Sequence, residues 1–332
     1  MPSPDLVRRS VQRLAGALAL FWLVLTLTFV LVRLAPGDPA AFLVPPTATA
    51  EEAARIRGAL GLEEPVLTQY ARWASGMLQG DLGTSFAQGR PVAAVLREAL
   101  PVSAGLGAAS LLLTFLVGVP LGLAQAARAG GRTDRAITVL ATAVYAAPTY
   151  WLALALVAVF TYGAATWGLP ATMRLPAFGL HTPGATVTGV AALLDVLRHS
   201  ILPVGILAAV GAAGIARYTR ASAVEIGGED FIRTAHAKGA APRAVRYHHL
   251  LRNLLPPLIV LFALSLPGVV AGSVFVESVF AWPGMGRVML AAIAGRDYPV
   301  VLGATAIYAA IVIASNLTAE LLLPVVDPRR SR

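Results

Sequence analysis

Six stretches of this chain contain no charged residue: 14–32, 99–127, 136–173, 199–216, 253–276 and 298–319. A bilayer hydrocarbon core is crossed by roughly 20 helical residues, and each stretch is about that long or longer. With no water in lipid, the backbone of such a segment must satisfy its own hydrogen bonds, so each is predicted to be a helix. The third stretch exceeds one span. Its helix is placed near 137–162, and the proline- and glycine-bearing remainder is left outside the bilayer. Composition agrees: 57% of the 332 residues are hydrophobic and 13% charged, about half the charge usual in soluble domains. The expected class is an all-α polytopic membrane protein with six transmembrane helices.

Six spans put both ends on one side, and the basic residues say which. With the N-terminus inside, the inner segments (1–13, 128–135, 217–252 and 320–332) hold 16 Lys and Arg in 70 positions. The outer ones (33–98, 163–198 and 277–297) hold 10 in 123. Positive residues stay on the cytoplasmic side, so both termini are expected in the cytoplasm, in the inner (plasma) membrane. The formal charge of +9 is then mostly inner-face charge, with acidic membrane lipid as its partner and no nucleic acid required. The apolar run within residues 1–35 reads as an uncleaved first span rather than a signal peptide. It is too long, and no small-x-small site follows it before "APGDPA".

Several chemistries are excluded or disfavoured. There is no cysteine, hence no thiolate nucleophile or thiolate metal site. The histidines at 181, 199, 236, 248 and 249 are not spaced as metal ligands, and no metal or cofactor is expected. An intramembrane hydrolase would need a Ser-His or paired-carboxylate constellation within the spans, and none is visible. The only lysine, Lys238, lacks the neighbours of a phosphate-cradling P-loop. An ion-coupled carrier, the less favoured alternative, would bury ionisable groups within its spans. Glu320, near the inner end of the last span, is the main candidate and reads as an interfacial carboxylate. Energy for uphill movement would therefore come from another subunit.

One polar segment stands between the fourth and fifth spans: "EDFIRTAHAKGAAPRAVRYHHLLRNLLPP" at 229–257. Gly227 and Gly228 break the preceding helix, and Glu229 and Asp230 favour a new helix N-terminus. Gly239 suits a left-handed C-terminal position and Pro242 the first turn of a further helix, which Pro256-Pro257 is expected to end. A helix of about nine residues is marginal in water, so it must lean on a neighbour. The residues alone leave docking on another protein and plain solvation both open.

This segment resembles the cytoplasmic signature of permeases of ATP-binding-cassette importers. That signature begins Glu-Ala-Ala and places Gly four residues after the second Ala. Here Ala235 and Gly239 match, while Arg233 and Thr234 stand in place of Glu-Ala. The form "RTAHAKG" is similar to the dipeptide, oligopeptide and nickel branch. "LAPGDPA" (34–40), "GDLGTSF" (80–86), "GRPV" (89–92), "VESVFAWPGMG" (276–286), "RDYPVV" (296–301) and "DPR" (327–329) resemble the permease type of that branch with a long first outer segment.

The resemblance implies a type I importer permease fold without catalytic residues. Its parts would be a tail and first helix (1–33), an extracytoplasmic helical segment (34–98) and a core permease domain (99–332) containing a coupling segment (217–256). It implies ATPase coupling through Glu229, Asp230, Phe231, Arg233, Thr234, Ala235, Lys238 and Gly239. It also implies an outer mouth of the path at Glu277, Phe280, Trp282, Pro283 and Gly284, with Phe280 and Trp282 suited to the membrane interface. The implied partners are a second homologous permease, two ATP-hydrolysing subunits and an extracytoplasmic solute-binding protein. The implied cargo is di- or oligopeptide, with nickel chelate or glutathione-type peptide as the alternative. From the residues themselves, Val66, Tyr70, Trp73 and Met77 form one apolar helix face suited to covering the outer span ends. The small residues Ala208, Gly211 and Ala212, on one helix face with Ile215, form a seam suited either to internal packing or to a partner permease.

Overall fold

A computed structural model describes residues 4–38, 40, 43–45, 47–170 and 173–326, with the backbone alone at 4–7, 9–11, 271 and 319–326. The side chain of Glu320 and the "DPR" stretch lie outside the described residues. In chain order the helices are α1 (Pro4–Leu34), α2 (Ala50–Ala59), α3 (Val66–Leu78), α4 (Val92–Ala126) and α5 (Arg132–Ala146). There follow α6 (Thr149–Val157), a π-helical turn (Ala158–Gly163), α7 (Ala164–Thr166), α8 (Gly189–Gly227) and α9 (Asp230–Ala237). The last are α10 (Pro242–Ala244), a second π-helical turn (Val245–Leu250), α11 (Leu251–Ala271), α12 (Val274–Val279), α13 (Met285–Ala294) and α14 (Tyr298–Val326). Among the described residues no strand occurs beyond an isolated bridge between Thr84 and Pro91, so the chain is all-α.

Six helical stretches are long and apolar enough to cross a membrane: Gln12–Leu34, Val92–Ala126, Thr149–Thr166, Gly189–Gly227, Pro242–Val279 and Tyr298–Thr318. Two of them differ from the sequence expectation, both at prolines. The third does not run through 137–162. α5 stops at Ala147, whose backbone is extended (φ −72°, ψ 138°), because the residue before a proline is sterically driven out of the helical region. The span restarts after Pro148. Conversely, Pro256 and Pro257 do not end a helix; they lie inside α11. An apolar surrounding offers no water to replace a broken turn, and helices there absorb missing donors through local π geometry and neighbouring groups. The π-helical turn at Val245–Leu250 directly precedes this stretch.

The chain forms two compact units. One comprises residues 1–102 with 284–314. Its core joins Val92, Leu96 and Ala99 of α4, Met285 and Ala292 of α13, and Val300, Val301 and Ala304 of α14. The expected apolar face of α3 packs on α1: Trp73 stacks on Phe29 with centroids 5.4 Å apart, and the Tyr70 hydroxyl lies 2.8 Å from Thr26 Oγ1. A capping box between Thr49 and Glu52 starts α2. The quoted "GDLGTSF" and "RDYPVV" stretches meet at Asp297, which is 1% exposed. Its carboxylate accepts from the Ser85 hydroxyl, from Phe86 N–H at 3.0 Å and from Ala87 N–H at 3.1 Å.

The second unit comprises residues 103–283 with 315–332. Lipid tails are as apolar as leucine, so helices in a bilayer associate through close van der Waals contact, which small residues permit. A Cβ at Gly107 of α4 would sit 2.3 Å from the Val269 carbonyl oxygen of α11. One at Gly122 would sit 2.5 Å from the Ala216 oxygen of α8, and one at Gly211 2.5 Å from Thr114 Oγ1. Ala208 and Ala212 are buried. The small-residue seam of α8 is therefore internal packing against α4.

Candidate coupling helix and outer turn

α8 ends at Gly227 with Gly228 as its cap, and Glu229 (φ −71°, ψ 150°) turns the chain into α9. The eight residues of α9 are amphipathic. Ile232 and Ala235 are buried and pack with Val245, flanked by Ala240 and Leu250. Glu229, Asp230, Phe231, Arg233, Thr234, Lys238 and Gly239 are exposed, and Phe231 keeps 43% of its surface open. Of the residues that the resemblance implies in coupling, Ala235 is the one that faces its own chain. The reason is spacing. Residues three apart share a helix face, and Ile232 and Ala235 meet Val245 on the segment that folds back.

The helix end is fixed by a Schellman motif. Ala240 N–H donates to the Ala235 oxygen at 3.1 Å and Gly239 N–H to the His236 oxygen at 2.9 Å. Gly239 has φ +77°, a value that side-chain-bearing residues rarely adopt. The Arg233 guanidinium lies 3.2 Å from Asp230 with both side chains largely exposed; such pairs contribute about 0–1 kcal/mol. The exposed face is therefore held in place by the buried one. Pro242 occupies the first turn of α10, and the chain runs from there through the second π turn into α11 without leaving the helix.

Below α8's last turns lies an ion pair that sequence reasoning missed. Asp134, 2% exposed, accepts from Arg220 Nε and Nη2, both at 2.6 Å. It also accepts from Gly130 N–H at 2.9 Å, and Gln125 bridges towards Thr138 at 3.1 Å. The Arg220 guanidinium, followed by the Gly130 amide, holds the Asp134 carboxyl well below the usual carboxylate range. The turn between α4 and α5 is thereby tied to α8, seven residues before its end at Gly227. The only sequence signal was an acidic residue beside the Gly130-Gly131 turn.

The candidate outer turn is packed. Ser273 caps α12 by accepting from Val276 N–H. Glu277 is fully buried and accepts from the Ser103 hydroxyl at 2.7 Å. Gly272 (φ +72°) is obligatory beside it, because a Cβ there would lie 2.3 Å from Glu277 Oε1. Phe280 packs with Val157, Leu202 and Ile206. The Trp282 amide donates to the Glu277 carbonyl oxygen at 2.7 Å, through Ala281 at φ +48°. Phe280 and Trp282, expected at the membrane interface, are 1% and 3% exposed; they are core residues. Gly284 is buried, and Pro283 alone of the five is exposed. No group of three or more potential metal ligands occurs among the described residues.

Comparison with known proteins adds a family. Residues 118–332 match the model described as "Binding-protein-dependent transport system inner membrane component". Residues 6–107 match its companion, "Binding-prot-dependent transport system membrane comp, N-term". The oligopeptide transport system permease protein AppB of Bacillus subtilis is 35% identical over 304 residues, covering 91% of this chain and 92% of its own. The probable peptide ABC transporter permease protein y4tP of Sinorhizobium fredii is 36% identical over 319 residues, 96% and 97% of the two chains. A putative peptide permease of Brucella ovis is 35% identical over 327 residues, 98% and 99%.

Proposed function

Since this chain belongs to the binding-protein-dependent transport system inner membrane component family and is a multi-pass permease subunit of an ABC importer, we propose that it carries di- or oligopeptides inward with a sister permease. Two ATPase subunits would power it, and an extracytoplasmic binding protein would deliver cargo. Both termini face the cytoplasm in this reading, which puts α9 on the side where ATP is hydrolysed. Peptide is favoured because the relatives aligned over nearly the whole chain are named as peptide or oligopeptide permeases.

The observation that carries the coupling role is the construction of α9. It is a short helix with a buried inner face, a fixed C-terminal cap, and an outer face on which Phe231, Arg233 and Lys238 are exposed. A helix this short is not stable alone and takes its geometry from that buried face. A push from a closing ATPase pair on Phe231 would reach α11 through the Ile232–Ala235–Val245 contact. It would reach α8 through Gly227-Gly228, above the Arg220–Asp134 anchor. The chain itself has no P-loop. Purified alone it should therefore hydrolyse no ATP above background. Hydrolysis should appear with the ATPase subunits and rise with peptide-loaded binding protein. Robust hydrolysis by the isolated chain would refute the proposal.

A further inference from the structure

One cavity in the first unit, about 500 Å³, belongs to neither the candidate coupling helix nor the candidate outer turn. Its wall includes Phe29 and Arg33 of α1, Gln69 and Trp73 of α3, and Tyr298 and Leu302 of α14. Three features of that wall ask for a ligand. Arg33 is half-buried and stands over the rings of Phe29 (5.3 Å) and Tyr298 (5.4 Å), with no carboxylate or hydrogen-bond acceptor among the described residues. The Trp73 indole N–H is buried without a partner. Gln69, 8% exposed, uses its amide N–H groups on the Leu62 and Glu64 carbonyls and leaves Oε1 without a partner. Arg33, Trp73 and Gln69 thus line one space, and the Trp73 donor and Gln69 acceptor are buried in its wall without partners. The other charged groups on the wall are engaged elsewhere: Arg72 pairs with Glu64 at 2.5 Å, and Asp81 accepts from Gly83 N–H at 2.8 Å.

We propose that this cavity binds the phosphodiester headgroup of a membrane phospholipid, with Arg33 facing the phosphate, the Trp73 N–H donating to a phosphate oxygen and Gln69 Oε1 accepting from a headgroup hydroxyl or amine. Depth selects lipid as the source. Arg33 is the penultimate residue of the Gln12–Leu34 span, and the end of a span is where headgroups lie and where arginine side chains meet them. Only 11% of that span's apolar window is buried, and Leu27 and Leu31 in its last turns are 53% and 66% exposed. Acyl chains are thus the natural neighbours of α1 beneath the cavity. The volume suits a phosphate with its polar substituent and excludes a pair of acyl chains. The inference needs only that α1 crosses a bilayer, so a failed transport or ATPase assay leaves it standing.

The test uses the full chain, purified with its co-expressed transporter subunits in nanodiscs containing phosphatidylglycerol, with retained lipid counted by native mass spectrometry. Arg33→Gln should weaken retention about fivefold, the usual contribution of one basic residue at a membrane surface. Arg33→Lys should restore most of it. Trp73→Phe, which keeps the ring and loses the N–H, should give a smaller loss, and it decides the matter if Arg33→Gln fails to assemble. Arg55→Gln, removing an exposed cation of α2, should change nothing. Equal retention by wild type, Arg33→Gln and Trp73→Phe overturns the proposal. So does displacement of the lipid by soluble glycerophosphoglycerol at equal concentration, which would make the site one for free phosphodiesters. Displacement by a dipeptide would make it a cargo site and also overturns it.

Discussion

Gly239 offers a clean perturbation of α9, the proposed coupling helix. Its φ of +77° lies in the left-handed region, and a Cβ added there would meet no atom within 4 Å. Substitution therefore adds no clash with a neighbour, and its cost is the backbone alone, about 1–2 kcal/mol for an ordinary residue. That corresponds to a factor of roughly 5–30 in the population of the ordered cap. α9 has eight residues, too few to remain helical without its cap and its buried face. The cost should thus appear as loss of α9 geometry rather than loss of the fold. Asparagine tolerates this conformation, so the expected order of coupling is Gly and Asn above Ala, with Val last. Gly184 provides the matched control: φ +77°, open space around its Cβ, and a position far from α9 in sequence. Retention of the ATPase subunits on purification and transport in vesicles are the two measurements. Gly239→Val should lose both, while Gly184→Val retains both. If Gly239→Val keeps its ATPase partners at the wild-type ratio and transports normally, the coupling assignment fails.

Four further outcomes are expected. Phe231→Ala removes a side chain that is 43% exposed, so stability should fall by only about 1 kcal/mol while ATPase retention drops; unchanged retention would remove Phe231 from the contact. Single cysteines at Gln88 and Ala185, both exposed, should react with impermeant thiol reagents outside intact cells. One at Ala241 should react only after the inner face is opened, and early labelling there would reverse the topology. Asp297→Asn leaves one carbonyl oxygen for three donors, stranding at least one at about 1–3 kcal/mol; faster proteolysis within 80–91 is the readout, and unchanged proteolysis refutes the role. Gly227→Ala with Gly228→Ala should stiffen the α8–α9 junction, keeping the ATPase subunits bound while slowing transport; normal transport would exclude a hinge there.

The spans were legible because a charge-free run of about 20 residues has few other fates. The limits of α9 were legible too, since Gly227-Gly228 and Gly239 are backbone signals that act locally. Its orientation was not. Ala235 faces inward only because Val245 folds back against it through a π turn, and helical periodicity carries no information about such a partner. The prolines misled in both directions for one reason. Pro148 and Pro256-Pro257 impose the same local restriction, and packing decides whether a helix breaks or bends. Phe280 and Trp282 carry an interface composition, yet the Ala281 backbone and the Trp282–Glu277 bond turn them into the core. Asp297 and Ser85 are 212 residues apart, a separation at which no local pattern operates.

How α9 would pass on a push follows from the unequal stiffness of its two connections. Towards α11 the link is a short capped turn at 238–241, then unbroken helix from Pro242, and it is backed by three buried side chains, Ile232, Ala235 and Val245; close-packed apolar contacts transmit displacement with little compression. Towards α8 the link is two adjacent glycines; a Cβ on Gly227 would meet nothing within 4 Å, and one on Gly228 only the Glu225 oxygen at 3.3 Å. Glycine has the freest backbone, so torsional change concentrates there. The lower end of α8 is itself restrained, because Arg220 is held bidentately by a buried Asp134. Displacement of α9 should therefore carry the α10–α11 helix with it and leave α8 behind, bending at Gly227-Gly228. In this arrangement α11, close-packed on α4 at Gly107, is the element through which ATP hydrolysis would first move the spans.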